Sequence, residues 1–191
     1  ILDVETGLTH VVQRDGWPEY YTTVEAAIAW GSNEILYASY QNTVRAYAVD
    51  GTLTNTISLD VPTAAIITEI AVSQPHNCLA VLVATVKWPS AQALVTIDLE
   101  TGEEISELCK SFEESVDLFW IGFDPIARYL VALGATSLLY WDVSRSGISS
   151  VSVLQFPSVT GTGCWSFDGH IFVVCGGKTM RVIAVNQWRE L

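Results

Sequence analysis

An all-β protein assembled from a repeated four-stranded unit is the fold class this sequence predicts, and three observations predict it. First, a short phrase returns along the chain. Ile1-Leu2-Asp3-Val4-Glu5-Thr6-Gly7 recurs closely as Thr96-Ile97-Asp98-Leu99-Glu100-Thr101-Gly102, with weaker echoes at 46–51, 140–143 and 182–186. Its third position falls at residues 3, 48, 98, 142 and 184, giving intervals of 45, 50, 44 and 42. Second, each interval divides into short apolar or alternating runs separated by residues that favour turns. Third, helical spacing is not sustained over ten residues anywhere. Only 19–29 comes near it, and Tyr20-Tyr21-Thr22-Thr23-Val24 within it favours strand or loop. A strand-rich repeat with a period of roughly 40–45 residues is the pattern of a β-propeller.

The elements follow in order. The first complete unit places strands at 26–30, 35–40, 44–49 and 53–59, punctuated by Gly31-Ser32-Asn33, Gln41-Asn42-Thr43 and Asp50-Gly51. These are residues that accept positive φ or close a turn with their own side chains. The second unit runs 68–73, 79–86, 93–99 and 103–108, with Gln74-Pro75-His76-Asn77 and Glu100-Thr101-Gly102 between strands. The third runs 118–123, 129–133, 138–143 and 150–156; the fourth runs 163–167, 171–175, 180–185 and a shortened 187–191. The chain 1–191 is thus expected to be a single propeller segment, with a remnant at 1–13 and blades at about 26–59, 68–108, 118–156 and 163–191. Ala80-Val81-Leu82-Val83 and Ile171-Phe172-Val173-Val174 are apolar at every position, as strands covered on both faces by neighbouring units should be. Because the pattern opens late in one unit and closes inside another, part of a larger propeller is the expectation. A closed ring of four, in which 8–13 completes the last blade, is the lesser reading.

Ser39-Tyr40-Gln41-Asn42-Thr43-Val44-Arg45-Ala46-Tyr47 resembles the turn and third strand of the WD-repeat family of β-propellers, and Tyr140-Trp141-Asp142-Val143 is similar to that family's Trp-Asp ending. The resemblance implies four-stranded antiparallel blades, about four of them visible, and a role in protein–protein interaction. The family commonly sets an Asp in the turn between its second and third strands, bonded to the His of a Gly-His pair. The matching positions here are Asn42, Ala135 and Gly177, and the one Gly-His, Gly169-His170, falls in a turn between first and second strands. A divergent propeller held mainly by apolar packing is therefore expected.

Composition bounds the partners. Half the residues are hydrophobic and 16% are charged, enough for one sizeable core. Nine Lys and Arg against 21 Asp and Glu leave a net charge of −12, which repels a nucleic-acid polyanion and favours basic peptides or basic patches on other proteins. The longest apolar run, 79–84, falls far short of the ~18–20 residues a membrane-spanning helix needs, so no membrane insertion is expected. The four cysteines form no CxxC and read as small core residues, and Asn-x-Ser/Thr is absent. These features together point to an intracellular setting, cytoplasmic or nuclear.

Motifs for chemistry are weak. Gly176-Gly177-Lys178-Thr179 looks like the end of a phosphate-binding loop, yet Phe172 stands where its first glycine belongs, and the segment joins two strands. His10, His76 and His170 lie far apart, without a nucleophile motif or metal spacing. No enzyme activity, metal or cofactor is expected. The candidate partner-binding rim comprises Trp17, Tyr20, Tyr21, Trp88, Phe112 and Phe156 beside the acidic Glu113, Glu114 and Asp117. Rings supply buried area and carboxylates set register; the competing reading folds the rings back as lids over the blade ends. The favoured function is a non-catalytic scaffold, a subunit of a larger multiprotein assembly. The alternative is a ligand-binding or enzymatic propeller whose central channel holds a sugar or quinone cofactor against some of the seven tryptophans.

Overall fold

A computed structural model describes residues 27–31, 34–40, 42–61, 65–85, 92–109, 118–143, 149–155, 161–176 and 179–190. Among these the strands are β1 (Ile28–Trp30), β2 (Leu36–Tyr40), β3 (Thr43–Tyr47), β4 (Leu53–Ser58), β5 (Ala65–Ser73), β6 (Cys78–Thr85), β7 (Gln92–Asp98) and β8 (Glu104–Cys109). They continue as β9 (Leu118–Phe123), β10 (Tyr129–Gly134), β11 (Ser137–Asp142), β12 (Ser149–Gln155), β13 (Gly161–Trp165), β14 (Ile171–Gly176), β15 (Thr179–Ala184) and β16 (Arg189–Glu190). Four separate four-stranded sheets result, each in simple sequence order: sheet I is β1–β4, sheet II β5–β8, sheet III β9–β12 and sheet IV β13–β16. All neighbours within a sheet are antiparallel.

The turns explain why the chain reverses where it does. Between the first and second strands of each sheet one residue takes positive φ: Glu34 at 59°, Asn77 at 48°, Ala127 at 54° and Gly169 at 67°. Gly51, Gly102 and Trp188 do the same between third and fourth strands. Asn and Gly favour that conformation, whereas Ala and Trp adopt it only where their surroundings compensate.

Alternation along the second strands then builds the core. In β6, Leu79, Val81 and Val83 pack against sheet I, while Ala80 and Leu82 join the cluster shared with sheet III. In β10, Leu130 and Ala132 face sheet II, and Val131 and Leu133 face sheet IV. Sheets II and III are therefore covered on both faces, which is why their second strands, β6 and β10, carry no polar alternation. Fully burying one such Leu or Val contributes about 1.5–3 kcal/mol before entropy is counted. Contacts between successive sheets also run through their first strands, β1 on β5, β5 on β9 and β9 on β13.

Several expectations need correction. Strand β5 begins at Ala65, three residues before the expected start, and accommodates the extra length with an irregularity between Ile67 and Glu69. Strand β13 stops at Trp165, so Phe167 belongs to the turn. Of the cysteines expected in the core, Cys78 is buried but Cys164 is exposed. Cys164 sits on the face of sheet IV directed away from sheet III, opposite Val173.

Candidate functional site

The nine residues expected to form the partner-binding rim, Trp17, Tyr20, Tyr21, Trp88, Phe112, Glu113, Glu114, Asp117 and Phe156, all lie outside the described residues. The described residues define the edge of the sheets where the turns between first and second strands lie.

That edge is built as a relay from sheet to sheet. His76, in the turn after β5, donates from Nε2 to the Ala127 carbonyl in the turn after β9, at 2.7 Å. Arg128 then donates from Nη2 to the Gly169 carbonyl in the turn after β13, at 2.8 Å. Asp124 anchors the middle of this relay: its buried carboxylate accepts the backbone N–H groups of Arg128 and Tyr129 and pairs with Arg128 Nε at 3.2 Å. Within sheets II, III and IV the turn after the third strand is tied to the same edge. Leu99 N–H donates to the Asn77 carbonyl, Val143 to Arg128 and Val185 to His170. The turns Asp98–Gly102 and Ser166–His170 therefore lie on one side of the molecule.

The last turn is closed by its own side chains. Ser166 Oγ donates to Asp168 Oδ1 at 2.7 Å and accepts the Ile171 N–H at 2.9 Å, while Asp168 Oδ1 also accepts the His170 N–H at 3.1 Å. The Ser166 hydroxyl first, then the His170 N–H, hold the Asp168 carboxyl below the usual carboxylate range. Asp98 is held low in the same way by the N–H groups of Thr101 and Glu100. Both stay ionised, so this edge presents fixed negative charge.

Phe167 rides at the tip of the Ser166 turn with 96% of its surface exposed, and Ile126 on the neighbouring turn is 51% exposed. The two turns touch: a Cβ added to Gly169 would stand 3.5 Å from Ile126 Cγ1 and 3.1 Å from Asp124 Oδ2. Two exposed apolar side chains on adjoining, braced turns, with Asp168 next to Phe167 in the chain, are therefore the site the described residues assemble. The sequence reading missed Phe167 because an apolar run was extended through it. The signal against that extension was Ser166-Phe167-Asp168-Gly169 itself, a turn sequence with an Asx-type acceptor and a glycine.

Of the described tryptophans, Trp30 is 54% exposed, while Trp120, Trp141, Trp165 and Trp188 are taken up in packing. Trp141 is 1% exposed. Trp188 stacks on Tyr140 with centroids 3.7 Å apart and meets Tyr129 edge-on at 5.1 Å, while Trp120 and Trp165 pack on Phe172. Cys78 is equally committed to structure, since burial pushes its thiol up to about 11 and keeps it protonated. Among the described residues, no three His, Cys, Asp or Glu side chains gather as metal ligands would.

Comparison with known proteins informs the fold. No protein-family model matches the chain, and no curated protein does. A solved structure, hydrazine synthase from Kuenenia stuttgartiensis, is similar over 92% of this chain with a TM-score of 0.63 at 13% identity. This chain covers 51% of that one, so it spans about half the neighbour's length. At that identity the likeness concerns backbone architecture alone, because unrelated activities share folds.

Proposed function

We propose that the four sheets are blades of a β-propeller related to the WD-repeat type, and that the chain serves as a non-catalytic protein-binding platform within a multiprotein assembly. The propeller reading is supported by successive sheets packed face to face, with II and III covered on both faces, and by contacts through their first strands, which is the packing of blades around an axis. The platform reading rests above all on Phe167: a large aromatic ring left in solvent on a turn that three side-chain hydrogen bonds hold in place. Exposed rings on rigid backbone lose little entropy when they bind, so they make good anchors. The ionised Asp168 beside it, with the net charge of −12, favours a partner segment that is basic and carries an apolar residue.

The test uses immobilised chain to select from a library of Lys- and Arg-rich peptides bearing one apolar anchor, followed by calorimetric titration of the selected peptide. Phe167→Ala is expected to weaken binding at least tenfold with an unchanged melting profile. Equal affinity for wild type and variant would remove this turn from the interface.

A further inference from the structure

Sulfur gathers on one face of sheet IV. Of the chain's four cysteines and one methionine, Cys164, Cys175 and Met180 meet there. Residues paired across antiparallel strands share a face, and so do residues two apart in one strand. Cys164 on β13 is paired with Val173 on β14, Cys175 lies two residues beyond Val173, and Cys175 is paired in turn with Met180 on β15. This face is directed away from sheet III, because Phe172 and Val174, which alternate with Val173 and Cys175, are buried in the core between the two sheets. Both thiols are free. Cys164 is exposed, Cys175 is half-buried, and the Met180 side chain is left 68% exposed beside them.

Spacing decides between the chemistries open to this group. Cys164 and Cys175 are diagonal neighbours, a relation that sets Cα atoms about 7–8 Å apart. A disulfide needs Cα atoms within about 7 Å and sulfurs at about 2.05 Å, so the pair is poorly placed to close one without backbone movement. A metal ion relaxes that demand, since two metal–thiolate bonds of about 2.3 Å accept sulfurs about 4 Å apart. Met180 stands directly opposite Cys175, a relation that sets Cβ atoms about 4.5–5.5 Å apart, and its flexible stem can carry the thioether to the same point. The donor set then selects the metal. No His, Asp or Glu of β13–β16 shares this face in the strand register, and its one charged residue is Arg189, opposite Ala184 and beyond Met180 along β15. Two thiolates and a thioether are soft donors that suit copper(I), whereas zinc calls for a fourth ligand that the strands do not supply.

We infer that Cys164, Cys175 and Met180 form a three-coordinate site for copper(I). As each metal–sulfur bond to a cysteine forms, the S–H proton leaves to solvent, and the metal keeps its oxidation state. The site is independent of the proposed platform, which rests on the Phe167 turn.

The experiment titrates copper(I), without oxygen, into the full reduced chain in competition with bicinchoninate, whose coloured copper complex reports the metal left unbound. One copper per chain is expected, with thiolate-to-copper charge-transfer absorption in the near ultraviolet. Cys164→Ser and Cys175→Ser should each weaken binding about a hundredfold, and the volume-conserving Met180→Leu about tenfold, all with unchanged circular dichroism. Excess zinc should not displace the copper, and Cys109→Ser should bind as wild type does. The inference is overturned by absence of binding, by one copper bridging two chains, by either sulfur-to-oxygen variant at 164 or 175 retaining full affinity, or by loss of binding in Cys109→Ser. Equal affinity of Met180→Leu and wild type would overturn the three-sulfur site in favour of a two-thiolate one.

Discussion

Phe167 and Asp98 show how differently single residues act in this molecule. Phe167 makes its turn no more stable, so Phe167→Ala should leave unfolding free energy within about 0.5 kcal/mol of wild type by chemical denaturation, while removing the anchor of the proposed interface. Asp98 acts on folding instead. Its carboxyl is depressed by accepting the N–H groups of Thr101 and Glu100. A depressed carboxyl contributes stability that is present above its unfolded pKa, near 4, and is lost as pH falls through the lower folded value. The chain should therefore melt at lower temperature at pH 3 than at pH 6, and Asp98→Asn, which retains an acceptor but does not titrate, should shrink that difference. An undiminished difference in the variant would place the acid sensitivity elsewhere. Asp98 was readable from the repeated Asp-x-Glu-Thr-Gly phrase. Ala127 and Trp188 at positive φ were not, because neither side chain favours that conformation and the surrounding turn imposes it.

At the scale of elements, strand positions were readable because β6, β10 and β14 are bounded by turn residues and apolar throughout. What one sequence could not supply was how sheets interlock. Gly163 on β13 lies beneath Phe172: an added Cβ would stand 2.3 Å from the Phe172 ring and 3.1 Å from Trp120 of sheet III. Gly163→Val should accordingly push sheet IV from sheet III and cost about 1–3 kcal/mol by overpacking, measured by urea denaturation. Loss of the Arg128 bridge to Gly169 tests the turn relay. Arg128→Ala should cost about 1–2 kcal/mol and speed hydrogen exchange in the 166–170 turn selectively. A uniform change across all sheets would mean that the relay does not brace that turn.

For the whole molecule, the repeat period predicted the number of sheets found among the described residues. The binding rim read from sequence lies outside the described residues. Aromatic density drew attention to Trp17, Tyr20, Tyr21 and Trp88, whereas Phe167, 96% exposed, stands alone in its turn. Isolated exposure is invisible to composition, since it depends on where a strand stops. The central claim is that this chain binds protein through the edge carrying its first-to-second-strand turns. Hydrogen exchange of the intact chain, with and without a saturating basic peptide selected as above, tests it most directly. The account predicts slowed exchange confined to 74–77, 124–128 and 166–170. Protection confined to 86–91 and 110–117, or no protection by a peptide that demonstrably binds, would contradict it.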